Sequence, residues 1–126
     1  MRATLLLALL GLAGAATAAP GEADRTRVVE ILRQFDALST IDIGNCDYEH
    51  KEFSSAYREL TESPIALSMQ RVLAHYQLKS EAPAEVDHNP TKESCLATLE
   101  KAKALFATHG DYLQKLAAQL PPAAAD

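Results

Sequence analysis

Apolar residues recur at three- and four-residue intervals through most of this chain, and that spacing predicts amphipathic helices. Val28, Ile31, Leu32, Phe35 and Leu38 mark a first helix from about Glu22 to Leu38, with Arg25, Arg27, Glu30, Arg33 and Asp36 mostly on its other faces. Ser39, Thr40 and then Gly44-Asn45 end it, being weak helix formers followed by a turn signal. A second helix is expected from near Cys46, capped by Asn45, with Asp47 and Glu49 in a first turn where negative charge suits the helix dipole. Cys46, Phe53 and Leu60, spaced by seven, and neighbouring Tyr57 form its buried stripe. Glu49, Glu52 and Glu59 share an acidic strip on the opposite side, flanked by Asp47 and Glu62.

Ser63-Pro64 opens a third helix, because proline at the first helical position lacks a donor that would have no partner there. Its buried face is Ile65, Met69, Val72, Leu73 and Tyr76. From Lys79 to Pro90 the pattern disappears, which predicts an exposed connection longer than the usual bundle loop. A fourth helix begins at Asn89-Pro90 or Thr91 and carries Cys95, Leu99, Ala102 and Phe106 on its apolar face. Gly110 either ends or loosens it, and Leu113, Leu116, Ala117 and Leu120 resume the stripe to about Leu120.

No segment alternates as a strand would, and no repeat or second domain is visible. The expected fold is all-α: a small up-and-down four-helix bundle tied by one disulfide. In that topology the N-termini of the second and fourth helices lie at one end, so Cys46 and Cys95 can meet. Their separation of 49 positions and the lack of a Cys-X-X-Cys pair argue for a structural bridge over a redox pair.

The N-terminus follows another rule. Arg2 supplies a short positive segment, Leu5–Leu12 an apolar core, and Ala13–Ala19 a run of small residues, the order of a secretory signal peptide. Residues 1–18 are therefore expected to be removed after Ala18, leaving a helical domain over 19–120 and a disordered tail over 121–126. The apolar run is much shorter than the roughly 20 residues of a spanning helix, so the mature chain is expected not to insert into membranes.

Composition then narrows the partners. Of 126 residues, 48% are hydrophobic and 23% charged, and the formal charge is −5. Cleavage takes Arg2 away and leaves 108 residues with eleven basic and seventeen acidic side chains, a net −6. Nucleic acid and anionic lipid would be repelled at long range, and a basic protein attracted.

Motifs for catalysis are missing: no His-Glu-X-X-His, no haem-attachment Cys-X-X-Cys-His, no Gly-X-Ser-X-Gly and no glycine-rich phosphate loop. His50, His75, His88 and His109 do not pair at ligand spacing, and Met69 is core filler on its helix, so no metal, haem or other cofactor is expected. The carboxylate pairs read as solvated faces, and the chain is expected not to be an enzyme.

Binding remains. The expected function is that of a periplasmic or secreted protein-binding module, an immunity or inhibitor protein neutralising a basic toxin or cell-envelope hydrolase. The candidate contact residues are Glu49, Glu52 and Glu59 on the second helix and Glu81, Glu85, Asp87 and His88 in the long connection. The chain also resembles small periplasmic acid-stress chaperones in having one long-spaced disulfide, but places a complete helix ahead of its first cysteine. That resemblance implies an alternative role in folding or acid stress. A further alternative is a small-ligand or metal-binding bundle, with Tyr48, Tyr57, Tyr76 or Tyr112 lining a site.

Overall fold

The first helix, α1 (Glu22–Asp36), has Glu22 and Asp24 in its first turn, where their charge offsets the positive end of the helix. The structure, a computed structural model, describes residues 21–81 and 83–121. The expected signal peptide lies outside them, as does all of the expected tail except Pro121. After α1 come α2 (Ile43–Glu49), α3 (Lys51–Thr61), α4 (Pro64–Tyr76) and α5 (Lys92–Ala118). Among the described residues there is no strand, only one isolated parallel bridge between Ile41 and Asp87.

Where the pattern predicts one second helix, the chain makes two. His50 adopts φ −126° and ψ 103°, extended values that end α2 and begin α3. Asp47 and Glu49 consequently stand in the last turn of α2, not the first turn of a longer helix, and no base offsets them there. Ser54 closes the break: its hydroxyl lies 2.5 Å from the Asp47 carbonyl oxygen, which would otherwise lack a helical donor, and 2.6 Å from the Asp47 carboxylate. The cap also differs from expectation. Asp42, not Asn45, caps α2, accepting the Asn45 N–H at 3.1 Å.

The remaining ends follow local rules. Ser63 caps α4 by accepting the Ala66 N–H at 3.3 Å, and donates to the Leu60 carbonyl at 2.7 Å, so one hydroxyl serves both neighbouring helices. At the far end of α4, Gln77 turns left-handed at φ 57° and Leu78 N–H returns to the Leu73 carbonyl at 2.9 Å. Thr91 caps α5 through the Ser94 N–H at 3.1 Å. This helix runs unbroken through Gly110 for 27 residues, about 40 Å at 1.5 Å per residue. Gly110 is there for space: a Cβ would lie 2.7 Å from Ile65 Cδ1 on α4.

α5 joins two halves of the core. At its start Cys95 and Leu99 pack with Ile41, Cys46 and Phe53. At its end Leu116 and Ala117 pack with Val28 and Val72, and Leu113 packs with Ile31, Leu32 and Met69. Cys46 and Cys95 are bonded, with Cα atoms 5.8 Å apart and no exposure to solvent. No helix among the described residues is long and apolar enough to cross a membrane.

Candidate partner-binding surface

The surface around α2 is held by a disulfide and by several hydrogen bonds from a neighbouring segment. Cys46 anchors it covalently to the first turn of α5. Its N-terminal end is held by the connection that the sequence leaves without pattern. Asp42 N–H donates to the Asp87 carbonyl and Asp87 N–H to the Thr40 carbonyl, both at 2.8 Å. Asn45 Nδ2 donates to the His88 carbonyl at 2.6 Å, and His88 Nδ1 stands 3.4 Å from Asp42 Oδ2. Asn89 N–H closes a turn on Asp87 Oδ1 at 2.9 Å. The stretch near Asp87 is therefore bound to α2 by its backbone while its side chains remain exposed.

Asp42 carries the electrostatic signature of this fastening. The Asn45 N–H first, and His88 next, hold its carboxyl below the ordinary value of 3.8. A carboxyl lowered by folding contributes stability above its ordinary pKa and loses that contribution as pH falls through the lowered one. The contribution of the Asp42 carboxylate is thus present above its ordinary value and is lost as pH falls through the lowered one.

On the outer side of α2, Tyr48 is 87% exposed, between exposed Asp47 and Glu49. An exposed aromatic side chain on a backbone held by a disulfide and a hydrogen-bonded strap can bind with little further ordering of that backbone. Its orientation follows from Cys46: two residues on along a helix is about 200° around, so a buried cysteine at 46 turns position 48 outward. The sequence reading offers Tyr48 as a pocket residue; the structure puts it in solvent.

The candidate contact residues lie on α2, on α3 and in the connection before α5. All seven candidate residues are exposed. The break at His50 separates Glu49 from Glu52 and Glu59, which remain on α3. Glu52 pairs with Lys92 at 3.1 Å. Glu81 is drawn to the end of α1, 3.0 Å from Arg33, beside the Arg33–Asp36 pair at 2.7 Å. Asp87 and His88 are brought to α2 by the contacts already described, and Glu85 lies two residues earlier in the same connection. Among the described residues, Glu49 and Glu59 make no ion pair.

The other tyrosines are accounted for separately. Tyr76 donates to the Gly21 carbonyl at 2.9 Å and Tyr112 to Asp24 at 2.7 Å, with the Arg27 guanidinium 3.8 Å above the Tyr112 ring. These contacts bind the start of α1 to α4 and α5. Tyr57 stacks on Phe53, with ring centres 5.2 Å apart. His109 Nε2 lies 2.9 Å from Gln34 Oε1. No group of three His, Cys, Asp or Glu side chains among the described residues is placed to hold a metal ion.

No family model, curated protein or solved structure matches this chain.

Proposed function

We propose that this chain is an exported protein-binding module, an immunity or inhibitor protein that covers a basic toxin or cell-envelope hydrolase. The observation carrying the proposal is Tyr48, 87% exposed and flanked by Asp47 and Glu49 on a disulfide-anchored helix. Binding energy concentrates in a few aromatic and arginine anchors, and an anchor on a held backbone has less freedom to lose on association. Surrounding carboxylates add long-range attraction for a basic partner and set the rate of encounter more than the final affinity. In this reading Tyr48 is the anchor, with Asp47, Glu49, Asp87 and His88 as its rim.

The same proposal takes the fold as an up-and-down bundle in which α2 and α3 together form the second arm. The bridge between the start of α2 and the start of α5 supports that arrangement, since both would begin at one end. Export is supported by the disulfide, which oxidising compartments preserve.

The test is co-expression with the exported product of the adjacent reading frame, combined with direct binding measurements. The expected result is protection from toxicity and a complex whose association slows with added salt. Tyr48→Ala should weaken it by about thirtyfold, the effect of losing roughly 2 kcal/mol at an anchor, with helix content unchanged. Absence of both protection and complex would sink the proposal, and full binding by Tyr48→Ala would remove α2 from the interface.

A further inference from the structure

The cleft between the two halves of the core has a charge and shape of its own. It has a volume of about 200 Å³ and is lined by the apolar Phe35, Leu38, Ile43, Tyr57 and Ala102 and by the polar Asp36, Ser39 and Ser80. Its origin lies in the α5 stripe, where the apolar face carries Ala102, a small side chain, between the larger Leu99 and Phe106. Leu99 packs in one core half and Phe106 against another, so the short side chain between them leaves space.

Asp36 gives this space a polar end. It is the one charged side chain buried among the described residues, at 8% exposure. Arg33 Nη1 at 2.7 Å and the Glu81 N–H at 3.0 Å both donate to its Oδ2. Its Oδ1 receives no donor from the described residues. Glu81 also pairs with Arg33, so one guanidinium faces two carboxylates and the cluster keeps one negative charge. An apolar recess with a free carboxylate acceptor and unbalanced negative charge selects an apolar cation with an N–H donor.

We propose that this cleft binds a small aromatic or aliphatic primary ammonium compound, its apolar part beside Ala102 and its ammonium group at Asp36 Oδ1. The size agrees, since a closed apolar cavity of roughly 150 Å³ accepts benzene. The site is separate from the Tyr48 surface and stands whether or not that surface binds a protein.

The experiment is amide NMR titration of the oxidised full chain with 2-phenylethylammonium, its neutral isostere 2-phenylethanol, and the anion phenylacetate. The ammonium compound should give saturable shifts centred on Phe35, Ile43, Tyr57 and Ala102 within about 10 mM, a range suited to ligands of so few atoms. The alcohol should bind at least about threefold more weakly, and the anion more weakly still, because each removes attraction to Asp36. Ala102→Leu, which fills the recess without adding polarity, should abolish the shifts while preserving the rest of the spectrum. Asp36→Asn should bring the amine and the alcohol to within about twofold of each other. Failure to saturate, shifts centred elsewhere, or unchanged binding in Ala102→Leu would each overturn the site. Equal binding of amine and alcohol by the native chain would overturn the ligand class.

Discussion

Tyr112 shows how much a single side chain can hold. Its hydroxyl donates to Asp24, its ring lies beneath Arg27, and burial followed by the Asp24 carboxylate pushes its phenol above the ordinary 10.0. A phenol raised by folding stabilises fully below its ordinary pKa, and the contribution disappears as pH rises through the raised value. Tyr112→Phe should cost about 1 kcal/mol at neutral pH. It should also flatten the loss of stability as pH rises above about 10 in chemical denaturation. Equal alkaline slopes would show that folding does not raise this phenol. Much at this scale is legible in sequence: Ser63-Pro64 announces its helix start, and a buried Cys46 turns Tyr48 outward. Asp42 is not, because Asn45 is an equally good cap on paper, and only the approach of Asp87 and His88 gives Asp42 its second partner. Gln77 is similarly hidden, since its left-handed turn comes from the Leu78–Leu73 return and not from a glycine.

At the scale of elements, the four apolar stripes are real and the helix ends fall near their signals, since burial of one face decides both. The exception is instructive. Cys46, Phe53 and Leu60 keep a seven-residue spacing that suits an unbroken helix, yet His50 interrupts it without glycine or proline. Periodicity records which residues are buried, and both short helices bury theirs; it does not register a hydroxyl two turns on that can cap the break. The unpatterned connection hides its structure in the same way, because backbone bonds at Thr40, Asp42 and Asp87 need no particular side chain. Gly110 reads as a possible helix end, but it marks the close approach of α4. Gly110→Ala should gain about 1 kcal/mol of helix propensity and lose more by crowding Ile65, a net destabilisation of roughly 1 kcal/mol. In an Ile65→Val background, which removes the Cδ1 atom, the same substitution should become stabilising by about 0.5 kcal/mol. Urea denaturation of the four proteins checks the sign reversal, and additive effects would mean that the approach is not limiting.

For the whole molecule, the disulfide adds a covalent constraint to one half of the core. It closes a loop with a sequence separation of 49 and links the two helix starts that border one core half. Removing it by Cys46→Ser with Cys95→Ser should lower stability by about 4 kcal/mol in the chain-entropy account, against a typical total of roughly 5–15 kcal/mol. Denaturation of the native and double-serine proteins measures the difference; a loss well under 1 kcal/mol would show that the unfolded chain is already confined. The pairing of Cys46 with Cys95 is legible from the presence of two cysteines, each near the start of an expected helix. The cleft at Asp36 is not, because it depends on how the two core halves meet around Ala102.

The link between Cys46 and Cys95 also changes what a cut would mean. Lys79 is exposed and lies between the two cysteines in sequence. A peptidase acting after it would separate α1–α4 from α5 as polypeptides but not as a molecule. Sulfur would still join the pieces, the helices of one would remain seated on the other, and the nicked protein would travel as one particle until a reductant released it. Where proteases are present, such a chain survives as an object after it has ceased to be a single chain.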